Sequence, residues 1–168
     1  STYTVGDGNG TNSTDLTVTV TEVPSLTVTA IGDVVSKIDG QTSLRETLVY
    51  AATLTGAQTV DFSDTNAGGA TNFHDAAPDT IVLDGSELVI EGDVTLDGPG
   101  AGLLTVDGDA SSRVFAIPTI DPANEATIRG ITIANGSAVN GAGLYVRDGA
   151  LTVEACVFRD NVSSGNGA

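Results

Sequence analysis

Six Lys and Arg residues face 22 Asp and Glu residues in this 168-residue chain, and the single histidine is His74. Those cations and that histidine set what chemistry the chain could carry. Arg113, Arg129, Arg147 and Arg159 lie in its second half, with Asp148 and Asp160 directly after two of them. An arginine beside a carboxylate on one face could hold the charge that develops when an acidic sugar is cleaved. The same pairs at turns are ordinary solvated ion pairs, which contribute little, and that reading is favoured. His74 precedes Asp75 in a polar stretch and could act as a general base, although an exposed loop residue is the plainer reading. No two carboxylates have a spacing that fixes a glycosidase site, so no catalytic residue is assigned. Cys156 stands alone in the strand-like run Leu151-Thr152-Val153-Glu154-Ala155-Cys156-Val157. It has no disulfide partner in the chain and reads as a small hydrophobe.

A calcium ion is the one cofactor to weigh. Asp7, Asn9 and Asp15 offer hard oxygen ligands around Gly6-Asp7-Gly8-Asn9-Gly10. The stretch lacks the EF-hand order and its closing Glu, and a plain hairpin turn explains the same residues. The formal charge of −16 excludes nucleic acid as a partner, because phosphate binding needs a basic surface. It argues equally against an anionic membrane surface. No run of 18 apolar residues occurs, so membrane insertion is not expected. The opening residues, Ser1-Thr2-Tyr3-Thr4-Val5, do not read as a signal peptide. They read as the middle of a domain, and a further strand is expected after Ala168.

The elements that would position these groups fall into three zones. In residues 1–24, Tyr3 and Val5 alternate before the Gly/Asp/Asn turn, and Leu16-Thr17-Val18-Thr19-Val20-Thr21 alternates strictly. That pattern predicts a β-hairpin, closed by Pro24 as a linker. In the second zone, Leu26, Val28 and Ala30 predict a strand. Ser43 and Glu46 have the S-x-x-E spacing of a capping box. Leu44, Leu48, Ala51 and Ala52 follow at helical spacing, to about Leu54. Gln58 to Phe62 predicts another strand, followed by a polar loop from Ser63 to Pro78.

Residues 79–168 repeat. Thr80-Ile81-Val82-Leu83-Asp84-Gly85, Val94-Thr95-Leu96-Asp97-Gly98 and Leu104-Thr105-Val106-Asp107-Gly108 resemble one another. Gly130-Ile131-Thr132-Ile133 resembles Ala150-Leu151-Thr152-Val153, 20 residues later. Short strands at that interval with Gly, Asp and Asn turns predict an all-β solenoid of about four coils, each burying its neighbour's apolar face. Ile131, Ile133, Leu151 and Val153 are then expected inside and stacked, with Thr132 and Thr152 outside. Asn135 and Asn161 are expected at corners that need a left-handed residue. The lone helix is expected to lie over one end of the stack, with Ser43, Leu44, Glu46 and Leu48 as its structural residues.

Thr42-Ser43-Leu44-Arg45-Glu46-Thr47-Leu48 resembles the Cys-Ser-Leu-Arg-Glu-Ala-Ile signature of a family of bacterial parallel β-helix repeat surface proteins. The order of the remaining segments is similar too. Leu26 to Val28, Asp39 to Glu46, Asp79 to Leu83, Glu87 to Ile90, Ser112 to Phe115 and Gly130 to Gly136 all match. Thr42 stands where the family has Cys, and Thr47 where it has Ala. The resemblance covers residues 25–168. It implies a right-handed parallel β-helix with an N-terminal α-helical cap. Tyr3 to Val20 resembles the closing hairpin of the cadherin-like and immunoglobulin-like repeats in large bacterial surface proteins.

These resemblances imply a non-enzymatic segment of a secreted or cell-surface protein, serving as adhesin, stalk or fibre-forming unit. Its partners would be flanking domains, neighbouring protomers in a fibre, or cell-surface glycans or proteins. The alternative is a carbohydrate-active enzyme or glycan-binding module. Right-handed β-helices include pectate lyases and polygalacturonases, but the Gly-His-Gly, Asn-Thr-Asp and Asp-Asp motifs of the galacturonases are missing here.

Overall fold

The computed structural model describes residues 23–118 and 125–167. The hairpin expected in residues 1–24 and the calcium candidates Asp7, Asn9 and Asp15 fall almost wholly in 1–22, outside the described residues. Among those described, the chain is mostly β, with one α-helix. A short strand β1 (Thr27–Val28) precedes helix α1 (Leu44–Ala51). Next come β2 (Gln58–Phe62), β3 (Asp79–Val82) and β4 (Leu88–Val89), then β5 (Val94–Asp97), β6 (Leu104–Asp107) and β7 (Phe115–Ile117). The rest are β8 (Glu125–Arg129), β9 (Thr132–Ala134), β10 (Ser137–Ala138) and β11 (Leu144–Val146), followed by β12 (Ala150–Glu154), β13 (Val157–Arg159) and β14 (Val162–Ser163).

The chain visits its sheets in rotation. Sheet one has the order β1-β2-β5-β8-β12, sheet two β13-β9-β6-β3, and sheet three β11-β7-β4; β10 pairs with β14. Every pairing is parallel. Parallel strands need a long crossover between partners, and here that crossover is made of the strands of the other sheets.

Period-2 alternation sorts each strand into a core face and an outer face. In sheet one, Val60, Leu96 and Ile128 stack in register and are fully buried. In sheet two the column is Ile81, Val106 and Ile133. In sheet three, Leu88 pairs with Phe115, which pairs with Leu144. Outside sheet one stands a second column, the threonines Thr59, Thr95, Thr127 and Thr152. β-branched side chains suit that half-covered pleat.

The register corrects the sequence alignment of the repeat. Leu151 and Val153 stack on Ala126 and Ile128, whereas Ile133 stacks under Phe158. The offset is therefore 25 residues, from Thr127 to Thr152 and from Thr132 to Val157. The similar runs compared at 20 residues belong to different sheets, separated by a corner at Gly130 (φ 66°) and, one strand on, at Ala155 (φ 50°). Leu83 likewise does not face Val106, whose partner is Ile81.

Burial departs from expectation at the end of the columns. Val153 is 40 % exposed and Phe158 44 %, because no described strand follows on their far side. Thr132 is buried although it shares the outer face with Thr80 and Thr105. Its hydroxyl donates to the Ala101 carbonyl at 2.7 Å, so the chain around Ala101 covers it. Asn135 adopts the left-handed conformation, but its counterpart on the next strand is Asp160, not Asn161. Asn161 instead bridges strands, accepting from the Gly136 N–H and donating to the Ile133 carbonyl.

Helix α1 lies against β1, β2 and β4. Ser43 is its N-cap: the hydroxyl accepts the Glu46 N–H, and the Glu46 carboxylate accepts the Ser43 N–H at 2.9 Å. The other Glu46 oxygen accepts the Ser36 N–H at 2.7 Å, tying in the preceding loop. Leu44, Thr47, Leu48 and Ala51 are the buried face. The helix closes before Leu54, through i→i+3 bonds from Thr53 to Tyr50 and from Leu54 to Ala51. Phe73 anchors the polar loop, fully buried and edge-on to Phe62 with ring centroids 5.2 Å apart.

Candidate functional site

The outer face of sheet one carries a charged column beside its threonines. Asp97, Arg129 and Glu154 occupy one register line on β5, β8 and β12. Arg129 grips Asp97 with two bonds, Nε to Oδ1 at 2.6 Å and Nη2 to Oδ2 at 2.7 Å. This bidentate fork holds the Asp97 carboxyl below the usual carboxylate range, and the same bond raises Arg129 above its own ordinary value. Glu154 adds a smaller push in the same direction on Arg129, as His74 does on Asp97.

At the head of this column is an open polar groove of about 650 Å³, lined by Asp61, Asp64, His74 and Asp97 together with Ser63 and Thr65. Asp61 reaches it as an outward residue of β2. His74 reaches it because Phe73, its neighbour, is locked in the core. His74 Nε2 lies 3.1 Å from the Phe62 carbonyl, which can only accept, so that nitrogen carries the proton.

The carboxylates and hydroxyls lining the groove can exchange hydrogen bonds with a ligand's hydroxyl groups. A glycosidase acid needs a carboxyl held protonated, yet Asp97 is pushed the other way. Among the described residues the one carboxyl shifted upward is Asp79, by burial and then by Asp75, and it does not line the groove. Among the described residues no three His, Cys, Asp or Glu side chains converge on a point that could hold a metal ion.

Two further arginines, Arg45 and Arg113, act as staples. Arg45 on α1 grips Asp33 through Nε at 2.8 Å and Nη2 at 2.6 Å, and donates to the carbonyls of Ser86 and Glu87. Arg113 pairs with the Glu87 carboxylate and donates to the carbonyls of Gly141 and Asn140, each at 2.9 Å. Its guanidinium also lies 4.7 Å from the centre of the Tyr145 ring, a cation–π geometry.

The Arg147-Asp148 and Arg159-Asp160 pairs do not stack on one another, and Arg159 with Asp160 forms the exposed ion pair that the plainer reading expects. Arg159 stacks over Ala134, and Arg147 follows β11 with its backbone bonded to Ile117. Arg159 and Asp160 are 4.0 Å apart and well exposed. Asp75 accepts the Ala77 N–H. Cys156 is half-buried, its thiol directed at the Ile128 and Glu154 carbonyls. Asp61, Asp64 and Asp97 escaped the sequence reading. The available signal was their outward position on or beside period-2 strands, but nothing local places Asp64 or His74 beside Asp97. Neither a family model, nor a curated protein, nor a solved structure matches the chain.

Proposed function

We propose that this chain is the capped beginning of a right-handed parallel β-helix, serving as a non-enzymatic structural segment of a large secreted or cell-surface protein. Such a segment is a stalk, an adhesin portion or a fibre unit. Its partners are flanking domains, neighbouring protomers, or glycans and proteins at a cell surface. What supports the reading is where the cations go. Arg45, Arg113 and Arg129 each tie segments far apart in sequence, 12 to 42 residues, through paired carboxylates or backbone carbonyls. A lyase or hydrolase would leave such groups free to meet substrate; a rod spends them on joining its layers. The parallel registers and the stacked apolar columns fit the same role.

The second reading, a glycan-binding module or carbohydrate-active enzyme, rests on the Asp61, Asp64 and His74 groove. One experiment separates the two. The chain is incubated with acidic and neutral polysaccharides, with and without calcium, and new reducing ends and unsaturated products are followed. No cleavage is expected. Cleavage abolished by His74→Ala or Asp97→Asn would overturn the structural reading. Glycan-array binding without cleavage, lost in the same variants, would favour a binding module.

A further inference from the structure

The outer face of sheet one carries four hydroxyls that the fold leaves unpaired. Thr59, Thr95, Thr127 and Thr152 stand in one register line across β2, β5, β8 and β12. Thr59 and Thr152 are exposed and the other two half-buried. None of the four side chains has a hydrogen-bond partner among the described residues, whereas the buried Thr132 hydroxyl of sheet two is engaged by the Ala101 carbonyl. Neighbouring strands lie about 4.8 Å apart, so the column runs about 14 Å along the stack. Its head adjoins the polar groove of about 650 Å³. Asp61 and Asp97, two residues beyond Thr59 and Thr95 on the same face, both line that groove. The Asp61 and Asp64 carboxylates are likewise without a partner among the described residues, while Arg129 occupies both oxygens of Asp97.

We propose that the threonine column and the groove at its head form one binding site for a neutral, unbranched glycan lying along the axis of the stack. The proposal rests on the glycan-partner reading above and names the class of glycan. Three observations point to it. First, a hydroxyl both donates and accepts, while a carboxylate only accepts. A line of threonines ending at Asp61 and Asp64 therefore matches a ligand that repeats hydroxyls along its length. Second, the other outward positions of sheet one hold Asp, Glu and Arg, apart from Ala150. That face lacks the aromatic and aliphatic anchors on which contact with a protein partner would centre. Third, the two unpaired carboxylates and the net charge of −16 disfavour a polyanion. A neutral sugar hydroxyl instead donates to a carboxylate in a charge-assisted bond.

The test titrates the isotopically labelled full chain with cellohexaose, with mannohexaose and with the polyanion hexagalacturonate, and follows the amide shifts by NMR. At least one neutral hexasaccharide should bind, with the largest shifts on β5 and β8, and hexagalacturonate should bind about tenfold or more weakly. Thr95→Val combined with Thr127→Val keeps the β-branched shape and removes two hydroxyls; it should weaken binding about tenfold or more. Asp61→Asn combined with Asp64→Asn should weaken it as well. Thr105→Val, at the matching outward position of sheet two, should leave the affinity unchanged. Melting curves of each variant verify the fold. Binding of neither neutral hexasaccharide overturns the proposal, yet leaves the structural role standing, because that role is judged by the absence of cleavage. Equal or tighter binding of hexagalacturonate overturns the proposal. So does a loss that Thr105→Val reproduces, or one that the paired valines fail to produce. Binding at these residues accompanied by cleavage upholds the site and overturns the non-enzymatic reading instead.

Discussion

Replacing Arg45 by Leu should be among the most damaging single changes at the helix cap. The substitution keeps an apolar stem and deletes four hydrogen bonds, two to the Asp33 carboxylate and one each to the Ser86 and Glu87 carbonyls. The Asp33 side chain is only 2 % exposed and that of Arg45 19 %, so this pair falls outside the weak surface class. After the change Asp33 retains the Asp84 N–H at 3.0 Å as its described partner. Leaving one member of a buried pair uncompensated costs about 3–5 kcal/mol. For a chain of this size that lowers the melting temperature by roughly 6–20 °C. Arg45→Lys should recover only part of the loss, because one ammonium cannot reproduce the fork and both carbonyl contacts. Asp33→Asn combined with Arg45→Leu should be more stable than Arg45→Leu alone, since the orphaned charge is gone. The assay is denaturant unfolding with midpoint and slope fitted for all four proteins. An Arg45→Leu midpoint equal to the parent's, or a double variant no better than the single, would refute the reasoning.

Three further outcomes follow from the geometry. Leu48→Asp puts a carboxylate at a position only 3 % exposed, and calorimetry should show a loss of at least about 3 kcal/mol, from lost packing plus an unpaired charge. Gly98→Ala brings a Cβ to 2.5 Å from the Gly130 carbonyl oxygen, a contact the backbone must move to relieve; a loss of about 1–3 kcal/mol in denaturant unfolding is expected. The pH dependence follows from Asp97, whose folded pKa is lowered by Arg129. Its stabilising contribution is present above the unfolded value near pH 4 and is lost as pH falls through the lower folded value. Arg129→Gln should therefore flatten the stability profile below about pH 4, by an amount that salt already diminishes in the parent because the pair is half-exposed.

What could be read from the sequence is what local chemistry determines. The capping box needs only Ser43 and Glu46 three positions apart, and the helix begins there. Alternation alone separates Val60, Leu96 and Ile128 from Thr59, Thr95 and Thr127. Pairing distance is a different kind of quantity. It depends on how many residues each corner consumes. Runs such as Ile131-Thr132-Ile133 and Leu151-Thr152-Val153 are alike because both must line a core, not because they face one another.

The same argument explains why the polar groove was invisible and the staples nearly so. Asp61, His74 and Asp97 meet only after Phe73 has folded the loop back onto Phe62 and β5 has paired with β2. Arg45 and Glu87 lie 42 residues apart and meet through a backbone carbonyl, which leaves no mark in the side-chain pattern. Arg129 and Asp97 are the exception. They face one another because adjacent strands are in register, so an outward charge on one strand finds the outward charge on the next. In a stack of this kind the outer columns repeat the logic of the inner ones, with charge and hydroxyl in place of packing volume. The inner columns tolerate only apolar side chains. The outer ones accept any residue whose neighbours along the column complement it. Carbohydrate recognition, where it arises on such a surface, would therefore be built from outward positions of consecutive strands. Asp61, Asp97 and Arg129 are the positions at which substitutions would create or abolish it without disturbing the core.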